Sequence, residues 1–206
     1  MSRNLPQDLY TDDNLYHVRM ATRLWVEHVA TLPLMEPVLD IGPLRAGGVF
    51  ERMPDTWFDL RALVRPKAYF TMDLQLPCDI QADITNLPMA YRGVFGTIFC
   101  LHVLEHVRQP FLAAANLVRL LRPGGRAYVL TPWALRLHGP RPDCWRISDD
   151  GLRALFANPD AEIETVEKIG DGLNPVGFRA VVRRKTLHAS RASLATPTRS
   201  LSEVLM

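Results

Sequence analysis

Apolar residues recur along the chain in two periods, and the change from one period to the other predicts where helices and strands lie. Near the start, apolar positions at spacings of three and four predict an amphipathic helix. Asp12 and Asp13 can cap this helix, and Leu32-Pro33 ends it. Its apolar face consists of Val18, Ala21, Trp25, Val29 and Leu32. The sequence leaves open whether the helix packs on a sheet or folds over a ligand site.

Short apolar runs bounded by turn residues predict strands in the middle of the chain. Five such runs lie at about 37–42, 68–73, 78–83, 95–100 and 127–130, and the third is short enough to be an extended loop. Helices are predicted at 56–64, from Pro110 to the stop signal Pro123-Gly124-Gly125, and from Ser148 to Phe156.

The last ordered part of the chain changes to a period of two. Runs 161–169 and 177–185, separated by the turn-rich segment 171–175, predict an antiparallel hairpin. The elements together predict an α/β fold, a Rossmann-like, doubly wound and mostly parallel seven-stranded sheet with a C-terminal antiparallel hairpin. We expect a single domain over residues 1–185, with an N-terminal helical segment at 1–36 and a flexible tail at 186–206.

Composition and charge exclude several classes of protein. The chain has 206 residues and a net charge of +2, and its scattered arginines do not favour nucleic acid as a partner. Cys78, Cys100 and Cys144 lack a CxxC spacing, so we expect neither a disulfide framework nor a metal site. Without a signal-peptide core or an apolar run near the ~20 residues of a membrane span, we expect a cytoplasmic protein without a membrane partner. The oligomeric state is left open.

The segment 37–43 is the most informative single stretch. Asp40 interrupts an apolar run, where a carboxyl group is costly to bury unless it is hydrogen-bonded. Gly42 removes a side chain where the strand opens into a loop, which lets a ligand approach the backbone. A strand followed by a glycine-containing turn and a helix commonly opens a nucleotide-binding unit. Taken alone, the segment equally allows Asp40 to cap the nearby loop.

Four segments in this order and spacing resemble the class I S-adenosylmethionine-dependent methyltransferases, and more closely the small bacterial type 11 methyltransferase-domain proteins. They are VLDIGP at 38–43, DIQADITNLP at 79–88, VLEHV at 103–107 and LRPGGR at 121–126. Residues 138–146 are similar to a subgroup found with surface-glycan biosynthesis enzymes. One departure concerns the first family motif, which usually continues with two further glycines. Leu44 and Ala46 stand at those positions, and Gly47-Gly48 follow a few residues late.

The resemblance implies that S-adenosylmethionine binds at the carboxyl ends of the strands. Asp73 would accept hydrogen bonds from the ribose hydroxyls, or else only cap the next turn. Asp83 and the Ile84 N–H would hold the adenine, or else Asp83 would bond to its own backbone. The implied cofactor-binding residues are Asp40, Gly42, Pro43, Asp73, Leu74, Asp83, Ile84, Cys100, Leu101 and His102. Glu105 and His106, which follow the fourth strand, are interpreted as structural.

The long irregular segment 131–146 follows the fifth strand and is predicted to form one wall of the acceptor pocket. His138, Asp143 and Arg146 are the candidate catalytic residues. His138 could act as a general base, and Arg146 could bind an acidic or hydroxyl-rich acceptor. Alternatively, Trp145 and Arg146 simply attach this loop to the domain.

The sequence thus favours a methyltransferase that transfers a methyl group to oxygen or nitrogen of a small-molecule or glycan-linked acceptor. A second interpretation is a degenerate binding or scaffold protein, because the loop with Leu44 and Ala46 is altered. A third is a nicotinamide dinucleotide enzyme, but the missing G-x-G-x-x-G, the late acid at Asp73 and the closing hairpin argue against it. The acceptor itself cannot be identified from the sequence.

Overall fold

The computed structural model describes residues 12–44, 53–171 and 173–186, which form a seven-stranded sheet with helices on both faces. Ala46, Gly47, Gly48 and the predicted tail beyond residue 186 lie outside the described residues. The helices are α1 (Asp12–Val29), α2 (Leu60–Val64), α3 (Pro110–Leu120) and α4 (Asp149–Leu155). The strands are β1 (Val38–Ile41), β2 (Tyr69–Asp73), β3 (Ile80–Gln81), β4 (Phe95–Leu101), β5 (Leu121–Pro132), β6 (Ala161–Gly170) and β7 (Pro175–Arg184).

The strand order is β3-β2-β1-β4-β5-β7-β6. Strands β1 to β5 pair in parallel, whereas β7 pairs antiparallel with both β5 and β6. The predicted fold class is therefore confirmed. The direction in which the sheet grows reverses between β1 and β4, and sheets of this kind bind ligands at the carboxyl ends of the strands at that point.

Several elements differ from their predicted extents: β3 is limited to Ile80–Gln81, and β5 and α2 begin at other residues than predicted. Pro123-Gly124-Gly125 follows the end of α3 as predicted, but β5 already begins at Leu121. The strand accommodates the extra residues through a register shift, because Phe95 pairs with Leu121 whereas Thr97 pairs with Arg126. Helix α2 begins only at Leu60, since the carboxylate of Asp59 accepts a 3.0 Å hydrogen bond from the Ala62 N–H and caps it there.

The hydrophobic core is divided between the two faces of the sheet. On one face, α3 and α4 cover a cluster that includes Leu39, Ile98 and Val129. On the other face, α1 covers a cluster around Val38 and Phe99. Alternation along β1 places Asp40 on the same face as Val38, which is the face that α1 covers. Among the described helices, none is both long and apolar enough to cross a membrane.

Candidate active site

A cavity of about 500 Å³ lies at the carboxyl ends of β1 and β4. Asp40, Gly42 and Pro43 line it from β1 and the following turn, and Leu101 lines it from the end of β4. Residues 57–61, part of β2 and the turn at 77–79 complete the wall. The structure thus brings four of the predicted cofactor-binding residues to one cavity at the reversal point of the sheet.

Asp40 is the buried acid of this cavity, with only 5% of its surface exposed. Its carboxylate accepts a 2.8 Å hydrogen bond from the hydroxyl group of Tyr69 on β2. Burial raises the pKa of Asp40 to about 7; the Tyr69 hydrogen bond opposes this shift, and the nearby charges of Asp59 and Asp73 add to it. A cationic ligand beside this carboxyl group would favour its ionised form.

Gly42 lies at a position where a residue with a side chain would be strained. Its φ of +65° lies in the left-handed region that favours glycine. A Cβ atom built there would also lie 2.7 Å from Cγ2 of Val103, which is closer than real contacts allow. The glycine therefore lets the turn after β1 pack directly on the segment that follows β4.

The predicted ribose and adenine residues lie on the neighbouring turns. A carboxylate oxygen of Asp73, at the end of β2, accepts a 3.0 Å hydrogen bond from the Gln75 N–H, and the Leu74 side chain is exposed. One carboxylate oxygen of Asp83 accepts hydrogen bonds from both the N–H and the hydroxyl group of Thr85, at 2.8 and 2.7 Å. Both acids thus make the local turn contacts that were the alternative interpretations.

The residues at the end of β4 separate into different environments. The Cys100 side chain is fully buried in the core, and burial raises the pKa of its thiol far above the usual range. Any contact between Cys100 and a ligand would therefore use its backbone. His102 has a φ of +58°, which is uncommon for a residue with a side chain. Its Nε2 atom lies 3.0 Å from the hydroxyl oxygen of Thr22 on α1.

Ile84 follows Asp83 directly and is not among the residues that line the cavity. Its side chain is buried, and its carbonyl group accepts a 2.7 Å hydrogen bond from the amide side chain of Asn116 on α3. This bond anchors the turn after Asp83 to the body of the domain. The turn is consequently held in a fixed place beside the carboxyl edge of the sheet.

Arg146 connects several parts of the loop that follows β5. It donates two hydrogen bonds to the Asp143 carboxylate, at 2.6 and 2.9 Å. It also donates to the carbonyl oxygens of Leu135, Trp145 and Arg136, at 3.0, 2.8 and 2.9 Å. A guanidinium group has five N–H donors, and these five contacts use all of them. This geometry favours the interpretation that Arg146 attaches the loop.

His138 is brought next to the same acid. The Asp143 carboxylate accepts a 2.8 Å hydrogen bond from the His138 backbone N–H and lies 3.2 Å from the ring atom Nδ1. Burial of Asp143 opposes its ionisation, yet the hydrogen bonds from Arg146 and His138 hold the pKa of this carboxyl group well below its usual range. Burial lowers the pKa of His138, although Asp143 and Glu105 act in the opposite direction. General bases and metal-binding imidazoles are both oriented in this way.

Glu105 was not among the predicted site residues, but it lies at the centre of a cluster of imidazoles. Its side chain is fully buried, and ring nitrogens of His102, His106 and His138 lie 3.6 to 3.9 Å from its Oε1 atom. Its backbone carbonyl accepts a 2.7 Å hydrogen bond from the Cys144 N–H, which joins the loop to the turn at 104–106. The only sequence signal for this cluster is the run of polar residues at the end of a buried strand.

Comparison with known proteins finds a methyltransferase domain within the chain. Residues 58–129, from α2 to most of β5, match the family model Methyltransf_11, which is described as a methyltransferase domain. No curated protein sequence matches the chain significantly. The matched domain supports the class I methyltransferase family, and the glycan-related subgroup suggested by residues 138–146 is not confirmed.

Solved structures share the fold at low sequence identity. A SAM-dependent methyltransferase from Aquifex aeolicus is 15% identical, with a TM-score of 0.54, over 88% of this chain and 100% of that one. A 1,6-didemethyltoxoflavin-N1-methyltransferase from Burkholderia thailandensis, solved with its substrate and S-adenosylhomocysteine, is 13% identical, with a TM-score of 0.51, over 90% of this chain and 93% of that one. The [4+2]-cyclase SpnF is 15% identical, with a TM-score of 0.53, over 80% and 81%. At these identities the likeness establishes the fold.

Proposed function

We propose that the protein is an S-adenosylmethionine-dependent methyltransferase that acts on oxygen or nitrogen of a small acceptor. The observation that carries this proposal is the cavity at the carboxyl ends of β1 and β4, where the sheet reverses. Its volume of about 500 Å³ falls within the range of about 300–1,000 Å³ found for small-molecule sites. The methyltransferase-domain match over residues 58–129 supports the same activity.

The charge of the cavity suits the methionyl end of the cofactor. S-adenosylmethionine carries a sulfonium and an ammonium group, and the buried Asp40 carboxyl group can balance positive charge. Gly42 offers backbone groups without a side chain in the way, and Leu101 offers an apolar surface. The fit between the cationic cofactor and this acid is therefore electrostatic as well as steric.

In the same proposal, Asp73 binds the ribose hydroxyls, and the turn of Asp83 and Ile84 binds the adenine. Each carboxylate has further lone pairs beyond the turn contact that it already makes. A hydrogen bond to a charged group is worth roughly 1.5–3 kcal/mol, which is enough to select adenosine over a simple methionine derivative. The backbone around Cys100 and His102 would border the cofactor on the side of β4.

The acceptor is proposed to bind between the cavity and the loop after β5. That loop is attached at several points, by Arg146 and by the hydrogen bond from the Cys144 N–H to the Glu105 carbonyl. Trp133, Leu137 and Trp145 expose apolar surface along it. Methyl transfer needs mainly the alignment of donor and acceptor and the exclusion of water, which an anchored apolar wall provides.

The direct test of the cofactor proposal is calorimetric titration of the purified chain with S-adenosylmethionine, S-adenosylhomocysteine and NAD. We expect saturable binding of the first two ligands in the micromolar range and none of the third. Turnover is then followed with radiolabelled S-adenosylmethionine across a panel of hydroxyl- and amine-bearing small molecules. Transfer of the radiolabelled methyl group to one of these molecules would demonstrate methyltransferase activity.

Two other outcomes have defined meanings. Absence of S-adenosylmethionine binding at millimolar concentration, in protein that is folded by circular dichroism, contradicts the proposal at the level of the cofactor. Tight binding of the cofactor without transfer to any acceptor class favours the degenerate binding protein that the altered positions Leu44 and Ala46 suggest.

A further inference from the structure

Glu105 has a buried carboxyl group whose two oxygen atoms have no hydrogen-bonding partner within the part of the chain that the structure describes. Its side chain is 0% exposed in the short turn that follows β4. Neither oxygen accepts a hydrogen bond from any described residue. Taking a carboxylate out of water without donors is strongly unfavourable, so a positively charged group beside it would stabilise its ionised form.

Three imidazoles face this carboxylate. Nδ1 of His102 lies 3.6 Å from Oε1, and Nε2 of His106 and Nε2 of His138 each lie 3.9 Å from the same oxygen. The rings of His106 and His138 also meet edge to face, with centroids 4.9 Å apart. These side chains come from the residue directly after β4, from the turn that follows and from the loop after β5, so the fold brings them together from positions up to 36 residues apart.

The other nitrogen of the His102 ring is committed to a hydrogen bond. The Thr22 hydroxyl group donates to the carbonyl oxygen of Val18 at 2.7 Å. That hydroxyl oxygen can therefore only accept from Nε2 of His102, 3.0 Å away, so Nε2 carries the proton. In the neutral ring, Nδ1 then directs a lone pair at Glu105.

The two remaining rings are oriented in the same way. Nδ1 of His106 lies 2.9 Å from the carbonyl oxygen of Pro142, which can only accept, so this nitrogen is the donor. Nδ1 of His138 lies 3.3 Å from the Arg136 carbonyl oxygen and 3.2 Å from the Asp143 carboxylate, which are also acceptors. In their neutral forms, both rings consequently turn an unprotonated Nε2 towards Glu105.

The ring nitrogens of His106 and His138 and the Glu105 carboxylate thus lie within 4.8 Å of one another, and lone pairs so placed repel each other unless a cation lies between them. Imidazoles that bind metals have this pattern, with the far N–H donated to a carbonyl or carboxylate group. We propose that Glu105, His106 and His138 bind a divalent first-row transition-metal ion such as zinc, manganese or iron, with His102 facing the same carboxylate.

The distances fit this proposal. Ligand atoms of Glu105, His106 and His138 all lie within 4.8 Å of one another. Bonds of ~2.1 Å to a tetrahedral ion place oxygen and nitrogen ligands roughly 3.4 Å apart, so an inward movement of less than an ångström completes the site. The imidazole side chains keep 12% to 17% of their surface exposed, which gives an ion a route in from solvent. The sequence predicted no metal site because it offered no cysteine spacing, and these ligands are not cysteines.

The position of the metal site also predicts the class of acceptor. This prediction rests on the proposed methyltransferase function, whereas the proposal of metal binding does not. The turn at 104–106 and the loop after β5 border the region where the acceptor is proposed to bind. An acceptor that carries hydroxyl or carboxylate oxygens would supply further ligands to the ion. The substrate class expected from this geometry is therefore a polyhydroxylated or carboxylated small molecule.

The metal site is tested by stripping the full chain with a chelator and titrating it calorimetrically with Zn²⁺, Mn²⁺ and Co²⁺. We expect one ion per chain, and visible absorption bands of nitrogen-ligated Co²⁺. Glu105→Gln keeps the shape of the side chain and should weaken metal binding by more than about 100-fold. Asp143 contacts the side of the His138 ring that faces away from Glu105, so Asp143→Asn should weaken metal binding by about 10- to 100-fold. His28→Ala, at an exposed histidine on α1, is the matched control and should bind as the unaltered chain does.

Several results would overturn the proposal. One is the absence of any bound ion at millimolar concentration in the folded chain. Another is equal stoichiometry and affinity in the Glu105→Gln variant, which would assign the ion to the surface. A third is nuclear magnetic resonance of the imidazole nitrogens that shows one doubly protonated ring beside Glu105, unchanged by added metal. None of these measurements uses S-adenosylmethionine, so a failure here is distinguishable from a failure of the proposed function.

Discussion

The substitution Asp40→Asn should change how the stability of the fold depends on pH. Burial raises the pKa of Asp40 from 3.8 to about 7, so the folded chain holds a proton that the unfolded chain has lost between these two values. A raised acid pKa stabilises the fold fully below pH 4, and this contribution is lost as the pH rises to 7. Each pH unit within that window is worth about 1.4 kcal/mol.

The expected magnitude follows from the two pKa values. Between pH 5 and pH 7 the unaltered chain should lose about 2 kcal/mol of unfolding free energy through Asp40, with little further loss by pH 8. Asp40→Asn has no ionisable group at this position, so the difference between variant and parent should grow by that amount. Urea denaturation of both chains at pH 5, 6, 7 and 8 measures it, and the subtraction cancels other titrating groups.

A companion variant sharpens the measurement. The Tyr69 hydroxyl donates to the Asp40 carboxylate and lowers its pKa, in opposition to burial. Tyr69→Phe should therefore raise the pKa of Asp40 and move the loss of stability to higher pH. Parallel stability curves for the parent and Asp40→Asn from pH 5 to pH 7 would refute the reasoning, because they would mean that Asp40 ionises as it does in the unfolded chain.

Three further variants and one control test the cofactor site and the loop. Asp73→Ala should weaken S-adenosylmethionine binding by roughly 2–4 kcal/mol in calorimetry, because two hydroxyl hydrogen bonds to a charged acceptor are lost, and unchanged affinity would exclude the ribose role. Gly42→Ala should destabilise the fold by about 1–3 kcal/mol in urea denaturation, since it adds an atom 2.7 Å from Val103 at a positive φ. Gly139→Ala is its control and should have little effect, because nothing lies within 4 Å of the added carbon. Arg146→Lys should speed amide hydrogen exchange over residues 135–145, because one ammonium group cannot replace five guanidinium contacts, and unchanged exchange would mean that the loop is held by other contacts.

The order and type of the elements could be predicted because each has a hydrophobic period that matches its own burial. The antiparallel hairpin is an example, since the alternation of Phe178, Ala180 and Val182 with arginines corresponds to the buried and partly exposed sides of β7. The extents of β5 and α2 could not be predicted in the same way. They depend on a register shift beside Phe95 and on the capping of Ala62 by Asp59, which are set by neighbours in space.

The candidate site divides along the same line. Asp40, Gly42 and Leu101 could be selected from the sequence because the end of a strand is recognisable from the pattern of apolar and turn residues. The structure brings all three residues to one cavity. The role of Arg146 could not be decided, since a sequence does not show whether its donors are already used. The surroundings of Glu105 were also beyond reach, because they require the loop around His138 to fold back on the turn after β4.

The position of β1 within the sheet limits how the chain can be divided for experiments. The segment that matches a methyltransferase domain begins at residue 58, yet β1 lies before it in sequence and pairs with both β2 and β4 in the middle of the sheet. Excising residues 58–129 would leave two unpaired strand edges facing a central gap and would remove α1, β6 and β7 as well. The smallest fragment expected to fold independently therefore runs from α1 to β7. Deletion studies should accordingly treat this whole span as one cooperative unit.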